Sequence, residues 1–487
     1  MDADVLIVGY GPVGSSLAGL LALRGLSVVV VDRDLDIFAL PRAAHIDHEI
    51  LRVFQELELL DDIAHVVRPN PGMDFLTADR QVLLSMRGPT QRDGRAPTPS
   101  GHPASNMMFQ PEVDRAMRRR AEQLGATVRL GVEVVGIEQG ATSVTALTAD
   151  GSRIQARWLV ACDGARSTVR KLVGATMHDL EFEEPWLVLD LVLDDDTAPP
   201  TEVALQVCDP ARPHTLVPMP APRFRLEFML LPGEDPAQIQ TDEVVRDLLA
   251  AWVDPDRARI ERAAVYTFHG LVAEQWRFDR VLLAGDAAHQ MPPFLGQGMC
   301  SGVRDAANLA WKLAAVVGQG VDDALLDTYQ SEREPHVRGI IELAVGFGRM
   351  ICTTDRAVAA ERDAAMLANR SGGSTTPNDA PPTAPLTPGP LIGEGGGGQS
   401  VQVDLEGRPS DDVIGPRFAV VARHDQHLAT EAAVDWSARG AVLLSAERHP
   451  ELSALLDHAR GDVAVIRPDR MVFAVGGSCP ATPDLLK

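Results

Sequence analysis

Apolar residues form short continuous runs in the first part of the chain, and a turn-forming or acidic residue follows each run. Val5–Val8 is apolar over a strand length, Ser15–Leu23 has the length and composition of a helix, and Ser27–Val31 is apolar again and leads into Asp32. Continuous apolar runs of about four to eight residues are typical of strands buried on both faces of a parallel sheet. The order strand, helix, strand therefore predicts a βαβ unit.

The turn between the first strand and the helix carries glycines in the order G-x-G-x-x-G, at Gly9, Gly11 and Gly14. The first permits a tight turn, the second lets a pyrophosphate approach the backbone, and the third allows helix and strand to pack closely. The N-terminus of the helix offers N–H groups and a positive dipole end to the phosphates. Asp32 can accept hydrogen bonds from both ribose hydroxyls. Together these residues predict a dinucleotide site.

Two later strands run into polar loops at their carboxyl ends, where α/β folds place ligands. The strand predicted over 153–160 is followed by Asp163, and the strand over 281–284 is followed by Asp286 and a loop rich in proline and glycine. A helix is predicted from about Ser301 to Val317, because apolar residues recur on one face. The loop before it would present backbone N–H groups to an acceptor.

The pattern changes in the middle of the chain. Between 182 and 231, segments that alternate or run apolar are separated by proline and acidic turns, which predicts an antiparallel sheet that covers a substrate. Residues rich in Ser, Thr, Pro and Gly then indicate a linker before a small α/β domain. The predicted organisation is a discontinuous nucleotide-binding domain (1–180 and 270–370), a substrate-binding sheet domain (181–269), a linker (371–399) and a C-terminal domain (400–487).

Composition and charge limit the kinds of molecule that the protein is expected to bind. The net charge of −23 over 487 residues disfavours nucleic acid and anionic membrane surfaces. No apolar run approaches the roughly 18 residues that a membrane span needs. The five cysteines form no C-x-x-C and no metal-like cluster, so we expect a reduced, cytoplasmic protein without a metal site. The opening Met1-Asp2-Ala3-Asp4 leads directly into the first strand, and we expect no signal peptide.

Four motifs carry a family resemblance: Gly9-Tyr10-Gly11-Pro12-Val13-Gly14, Cys162-Asp163-Gly164-Ala165-Arg166-Ser167, Gly285-Asp286-Ala287-Ala288-His289 with Pro293 and Gly298, and Tyr329 with Glu332-Arg333. With them the chain resembles the class A flavoprotein aromatic monooxygenases, the para-hydroxybenzoate and phenol hydroxylase group. Residues 208–214, 223–234 and 279–292 are most similar to 3-(3-hydroxyphenyl)propionate hydroxylases. The resemblance implies an α/β fold with a Rossmann-like FAD-binding domain, an antiparallel-sheet substrate domain and a thioredoxin-like C-terminal domain, which would be redox-inert without C-x-x-C.

Carried over residue by residue, the resemblance implies positions that contact FAD. Those expected at its ADP half are Gly9, Gly11, Pro12, Val13, Gly14, Asp32, Arg33 and Arg42. Gln110 and Asp286 are expected at the ribityl and phosphate region, and Asp163 near the cofactor. The residues expected beside the isoalloxazine are Pro293, Gly296, Gly298 and Met299. A guanidinium such as that of Arg42 can also bridge two phosphate oxygens, independently of the resemblance.

The resemblance also implies the reaction. NADH or NADPH would reduce FAD after transient docking, and O₂ would form a flavin C4a-hydroperoxide that hydroxylates a small phenolic substrate. Because deprotonation of a phenol raises its electron density, we expect a general base and name Asp47 and His48 as candidates. The alternative for Asp47 is a helix N-cap. His214 and Met229 on the predicted sheet are candidate substrate contacts.

Several alternatives stay open. The substrate could be a 3-hydroxyphenylpropionate-like compound or an intermediate of an aromatic natural-product pathway, and a non-hydroxylating FAD oxidoreductase would share the fold. A flavin-dependent halogenase is disfavoured because no Trp-x-Trp occurs, and a plain NAD-dependent dehydrogenase is disfavoured by the loop at 285–299. A homodimer and the choice between NADH and NADPH are not decided by the sequence.

Overall fold

The N-terminal apolar run becomes the strand Ala3–Val8, which lies in parallel between Val28–Asp32 and Arg153–Ala161. The structure is a computed structural model and describes residues 1–86, 98–371 and 384–487. The first sheet continues outward in both directions from these strands. Its remaining strands are Thr127–Leu130, Val134–Gln139, Val144–Thr148, Arg277–Phe278 and Val281–Leu283. The buried parallel strands confirm the predicted βαβ unit.

The second sheet is mostly antiparallel, as predicted, and its longest strands pair along their whole length. Its strands in spatial order are His289–Gln290, Ala258–Ala273, Met177–Leu193, Arg223–Met229, His214–Pro218, Ala204–Val207, Met73–Leu76 and Val82–Met86. The last two strands come from the N-terminal part of the chain, and Met73–Leu76 pairs in parallel with Ala204–Val207. The sheet domain therefore includes residues from the N-terminal part of the chain.

Side chains of the second sheet alternate between two faces. Leu187, Leu226 and Phe228 belong to an apolar core under the helix Asp242–Leu249. We call this the outer face. The other side, which we call the inner face, carries Trp186 and Arg225 and lies against the first sheet's domain, where Arg225 donates hydrogen bonds to the carbonyls of Pro41 and Arg42.

Helices cover both sheets. The longest are Gly298–Gly318, which we call the central helix, and Asp327–Ile351, which packs against the second sheet and the turn Pro293–Leu295. The other α-helices are Pro12–Leu23, His48–Glu56, Leu60–Ile63, Gln110–Gln123, Thr168–Leu172, Asp242–Leu249, Arg356–Ser371, Ser410–Ile414, Asp425–Leu428, Glu431–Ala438 and Leu452–Ala459. The 3₁₀ turns are Pro255–Arg257, Gly285–Ala287, Pro293–Leu295, Asp323–Leu326 and Asp484–Leu486.

The C-terminal part forms a four-stranded sheet with strands, in spatial order, Val442–Ser445, Ala419–Ala422, Val463–Ile466 and Val472–Gly476. The first pair is parallel and the other two are antiparallel. Its assignment as thioredoxin-like stays a prediction. Of the predicted linker, 372–383 lies outside the described residues. Residues 384–399 are packed rather than free, since Gly393 and Gly397 donate backbone hydrogen bonds to Phe473 and Val472.

Two short sheets complete the fold: Val67–Pro69, His45–Asp47 and Ser105–Met108 form one, and Asp404–Leu405 with Arg408–Pro409 forms the other. Within the described ranges, no helix is long and apolar enough to cross a membrane.

Candidate functional site

The glycines of the first turn meet three different environments. A Cβ added to Gly9, whose φ is +100°, would lie 2.4 Å from the carbonyl oxygen of Cys162, and one added to Gly14 would lie 2.0 Å from the carbonyl oxygen of Gly9. A Cβ on Gly11 would meet nothing within 4 Å. Packing thus requires two of the glycines, whereas Gly11 borders open space at the N-terminus of the helix that begins at Pro12. This is the arrangement that a bound pyrophosphate needs.

Asp32 is the last residue of the second strand and lies beside this space. Its Oδ2 accepts a hydrogen bond from the N–H of Tyr10 at 2.6 Å, and its Oδ1 accepts from the N–H of Asp34 at 2.9 Å. Each carboxylate oxygen has about two acceptor sites, so both can still accept a hydroxyl. Arg33 is exposed next to it.

Gln110 holds the backbone of Arg42 beside the open space near Gly11. We call this space the cleft. The Gln110 Oε1 accepts hydrogen bonds from the backbone N–H groups of Arg42 at 2.9 Å and Ala43 at 2.6 Å, and its Nε2 donates to Asp114 at 3.2 Å. Burial raises the pKa of the Asp114 and Asp286 carboxyls, that of Asp114 to about 7, and the charge of Arg42 opposes the rise at each. Arg42 is therefore near enough to both carboxyls, which come from two other segments, to act on their ionisation.

Asp286 lies on the wall of this cleft. Its side chain is exposed, yet surrounding protein raises its pKa, which is the situation of a carboxylate that opens into an internal gap. A Cβ on its neighbour Gly285 would lie 2.8 Å from Val13 Cγ2, and one on Gly302 would lie 2.5 Å from the same atom. The loop that begins at Gly285 thus packs directly on the predicted phosphate turn.

A buried ion network fixes this loop, and its centre was not predicted from the sequence. The carboxylate of Asp305 accepts hydrogen bonds from the Gly285 N–H at 3.1 Å and from Arg333 Nε at 2.9 Å, and lies 2.6 Å from His289 Nε2. The Tyr329 hydroxyl donates to the carbonyl of Leu283 at 3.0 Å. The Tyr329 and Arg333 motif was a signal of this network, because both side chains turn back to the loop.

The far end of the loop consists of the 3₁₀ turn that begins at Pro293, Gly296 with a φ of +64°, and the start of the central helix at Gly298 and Met299. The imidazole Nδ1 of His45 lies 3.2 Å from the Gly296 carbonyl oxygen. Burial lowers the pKa of His45, so the ring is neutral near pH 7 and Nδ1 donates to the carbonyl. His45 was not among the predicted site residues, although it is next to them in sequence.

The two predicted bases have structural partners. Asp47 caps the helix His48–Glu56 by accepting from the N–H groups of Glu49 and Ile50, and its Oδ2 is ion-paired with Arg304. The structure therefore favours the N-cap alternative over a catalytic base at Asp47. His48 Nδ1 lies 3.1 Å from Ser100 Oγ, and the Ser100 carbonyl accepts from Gln402 of the C-terminal part. This places His48 at a contact between domains.

Asp163 likewise has a capping role: its Oδ2 accepts from the N–H groups of Thr168 at 2.7 Å and Val169 at 3.0 Å. Its backbone lies against Gly9, since a Cβ there would be 2.8 Å from Asp163 Cα. Asp163 thus shapes the turn that contacts the open space near Gly11.

The two predicted substrate contacts lie on different faces of the second sheet. His214 is on the outer face, where its ring stacks on Phe228, its Nε2 accepts from Trp252 Nε1 at 3.0 Å and its Nδ1 lies 2.7 Å from the Arg212 carbonyl. His214 therefore does not line the cleft. Met229 is on the inner face opposite Trp186.

An aromatic cluster joins the inner face to the far end of the loop. The ring centroid of Phe294 lies 5.5 Å from that of Trp186, 5.9 Å from Phe182 and 6.4 Å from Phe268. A Cβ on Gly348 would come within 2.7 Å of both Phe182 and Phe294, so the helix Asp327–Ile351 packs tightly over the cluster. The cluster closes the cleft at the end opposite to Gly11.

The described residues fit an elongated dinucleotide. An open glycine, an acidic strand end and the guanidinium of Arg42, which stacks on Phe38, lie at one end. A carboxylate lies in the middle, and a helix N-terminus near aromatic side chains lies at the other end. FAD has two chemically different ends of this kind. Within the ranges that the structure covers, no group of three or more His, Cys, Asp or Glu side chains could hold a metal ion.

Comparison with known proteins gives the same picture. A family model described as an FAD binding domain matches residues 2–344. The chain is 42% identical over 374 residues to a probable NADH-specific resorcinol 4-hydroxylase of Rhodococcus jostii (strain RHA1), covering 75% of this chain and 69% of the relative. It is 34% identical over 542 residues to a 3-(3-hydroxy-phenyl)propionate/3-hydroxycinnamic acid hydroxylase of Mycobacterium avium (strain 104), covering 99% and 91%.

Among solved structures, the ternary complex of aklavinone-11 hydroxylase with FAD and aklavinone superimposes with a TM-score of 0.81 at 23% identity, covering 99% of this chain and 96% of that one. At this identity the likeness shows a shared fold over the whole chain.

Proposed function

The chain belongs to the FAD-dependent aromatic monooxygenases of the FAD binding domain family, and we propose that it uses NADH and O₂ to hydroxylate a small phenol with a second substituent meta to the hydroxyl. Resorcinol and 3-(3-hydroxyphenyl)propionate, the compounds in the names of the two relatives above, share this substitution pattern. NADH is the donor in the name of the relative from Rhodococcus jostii.

The observation that carries the proposal is that the loop from Gly285 packs on the phosphate turn through Val13. Gly11 opens to the space beside Val13, Val13 packs on Gly285, and the loop from Gly285 ends at Gly296 under the inner face of the second sheet. One extended cofactor can therefore reach from the phosphate turn to the aromatic cluster. Bound there, FAD supplies hydride acceptance from a nicotinamide and, once reduced, activation of O₂.

The residues proposed to hold FAD fall into three groups. The phosphate turn would bind the pyrophosphate through backbone N–H groups beside Gly11, with Arg42 as a counter-charge and Asp32 on the ribose. Asp286 would accept hydrogen bonds from hydroxyls in the middle of the cofactor. The N-terminus of the central helix, at Gly298 and Met299, would direct its N–H groups to the ring at the far end, where this positive dipole end favours negative charge.

The chain's own side chains would then control the chemistry at that end. Phe294, Trp186 and Phe268 exclude water from the far end of the cleft, which protects reactive oxygen species from solvent. His45 fixes the Gly296 carbonyl through a neutral ring nitrogen. Met229 supplies apolar surface to a phenol ring from the sheet above.

A substrate panel tests this proposal. The FAD-loaded protein should oxidise NADH faster when resorcinol or 3-(3-hydroxyphenyl)propionate is added, and mass spectrometry should find one added oxygen. Hydroquinone and 3-(4-hydroxyphenyl)propionate are matched controls that differ only in ring position. Stimulation by the para isomers and none by the meta isomers would contradict the proposed substrate class. NADPH in place of NADH tests the donor in the same assay.

A further inference from the structure

Glu227 is a buried carboxyl on the inner face of the second sheet. It lies between Leu226 and Phe228, both of which belong to the core under the outer face, so alternation along the strand directs it inward. Its neighbours across the sheet are Val188 and Thr215. Glu227 is only 7% exposed. A carboxyl at such a position normally has hydrogen-bond donors around it.

No hydrogen bond reaches the Glu227 carboxyl from the residues that the structure describes. Arg225 Nη1 is 3.8 Å from Glu227 Oε1, which is beyond hydrogen-bond distance. The nearby Thr215 hydroxyl donates instead to Gln206 Oε1 at 2.6 Å. Burial raises the pKa of Glu227, and the charge of Arg225 opposes that rise. Among the described residues the carboxyl thus has a distant ion-pair partner but no hydrogen-bond donor, and a donor that enters the cleft from outside would supply one.

The buried arginines of the inner face do not supply a binding site for an anion. Arg225 and Arg262 both flank Asp190, and each also donates to the carbonyl of Pro41. Their charges are thus neutralised in part by Asp190, and both donate to a backbone oxygen. Glu227 differs from them in that its carboxyl accepts no hydrogen bond from the described residues and can accept one from a ligand.

Glu227 also lies over the right part of the cleft. Two residues before it, Arg225 contacts the turn at Arg42, and two residues after it, Met229 lies opposite Trp186 of the aromatic cluster. The stretch of inner face between these two contacts therefore lies between the turn at Arg42 and the aromatic cluster, which are the two ends of the proposed FAD site. A substrate ring that reaches the far end of the proposed FAD site must pack against this stretch.

We propose that Glu227 is a substrate-binding residue that accepts a hydrogen bond from a second ring hydroxyl, and that it selects neutral dihydroxybenzenes over phenols that carry a carboxylate. The inference rests on the proposed function and names its substrate class. A ring hydroxyl would donate to the Glu227 carboxyl. A carboxylate side chain would bring a second acidic group into a buried site, where burial disfavours the charged form of both, and this disfavours binding.

Binding of two phenols tests the inference without turnover. Dissociation constants of resorcinol and 3-(3-hydroxyphenyl)propionate are measured from flavin fluorescence of the oxidised, FAD-loaded protein in the absence of NADH. We expect resorcinol to bind more tightly to the wild type. Glu227→Gln replaces the carboxyl with an amide, a weaker acceptor that also carries an N–H donor, so it should weaken resorcinol binding about 10-fold and should strengthen binding of the carboxylate compound.

Controls separate this role from folding. Glu183→Gln alters an exposed carboxyl on the neighbouring strand and should leave both constants unchanged. Flavin content and the thermal midpoint report whether Glu227→Gln is folded. Glu227→Asp provides a second variant, in which the charge remains but the carboxylate is withdrawn; it should weaken resorcinol binding and still disfavour the carboxylate compound.

The outcomes distinguish the two proposals. If neither phenol changes the flavin signal or stimulates NADH oxidation by the wild type, the proposed function fails and this inference fails with it. If both phenols act on the wild type but Glu227→Gln leaves the ratio of their dissociation constants unchanged, only the role of Glu227 is overturned. A wild type that prefers the carboxylate compound would overturn it as well.

Discussion

Arg304 of the central helix is ion-paired through Nη2 with Oδ2 of Asp47, a residue 257 positions earlier in the chain. Arg304 Nε also donates to Glu49 at 2.8 Å, and both side chains of the Arg304–Asp47 pair are buried. The pair joins the start of the helix His48–Glu56 to the helix whose N-terminus lies at the far end of the cleft. It gives Asp47 a structural role that its position after the Arg42 turn did not reveal.

Asp47→Asn should therefore lower stability and leave proton transfer unchanged. The amide keeps an oxygen to cap the helix but leaves Arg304 with one anionic partner, so the free energy of unfolding should fall by about 3 kcal/mol. Urea unfolding measures this loss, and Arg304→Met should show a comparable one. If Asp47→Asn shifts the pH dependence of hydroxylation, Asp47 acts as a base after all.

Gly11→Val and Gly14→Ala should fail in different ways. Gly11 has a φ of −76° and open space where a side chain would be, so Gly11→Val should fold with little change in thermal midpoint and yet purify without FAD. Gly14→Ala would place its Cβ 2.0 Å from a backbone oxygen and should be destabilised with or without FAD. Circular dichroism and flavin absorbance separate the two effects. Full FAD content in Gly11→Val would contradict the proposed phosphate site.

Gly348→Ala should disturb the aromatic cluster from a helix distant in sequence. Its Cβ would press on Phe182 and Phe294, and overpacking of this kind costs about 1–3 kcal/mol. Because the cluster excludes water, we also expect less product per NADH consumed. Gly346→Ala is a matched control in the same helix, where nothing lies within 4 Å; it should gain about 0.5–1 kcal/mol. Equal coupling in the two variants would contradict the role of the cluster.

His336 should make stability depend on pH. Its Nδ1 lies 2.8 Å from Arg333 Nη1, and because a guanidinium only donates, this nitrogen must stay unprotonated. Burial, with the charge of Arg333, lowers the pKa of His336 to about 3. Below the ordinary pKa of about 6.5, the unfolded chain binds a proton that the native state does not. The stability from this residue is complete above pH 6.5 and falls as the pH decreases.

His336→Gln tests that contribution, because glutamine retains an acceptor and does not titrate. The wild type should lose up to about 1.4 kcal/mol per pH unit more than the variant between pH 6 and pH 5. Urea unfolding at pH 7.5, 6 and 5 measures the two slopes. Parallel slopes would show that His336 is protonated in the native state as readily as in the unfolded chain.

The local sequence pattern was sufficient to predict those elements whose conformation depends on residues close to them in sequence. The run before Gly9, the turn glycines, the strand that ends at Asp32 and the loop after Gly285 were all predicted, because strand length, turn geometry and helix starts are set within a few residues. The family motifs identified the same residues. The alternation between 182 and 231 likewise predicted the antiparallel sheet.

Tertiary structure decided what those elements contact. Alternation defines two faces of a sheet but does not say which face covers the cleft, so His214 and Glu227 could not be told apart by sequence alone. The structure shows that Asp305 is the centre of an ion network, because Gly285, His289 and Arg333 all contact its carboxylate. These choices come from packing between segments distant along the chain, where burial and charge pairing, rather than local propensity, determine which side chains remain available for a ligand.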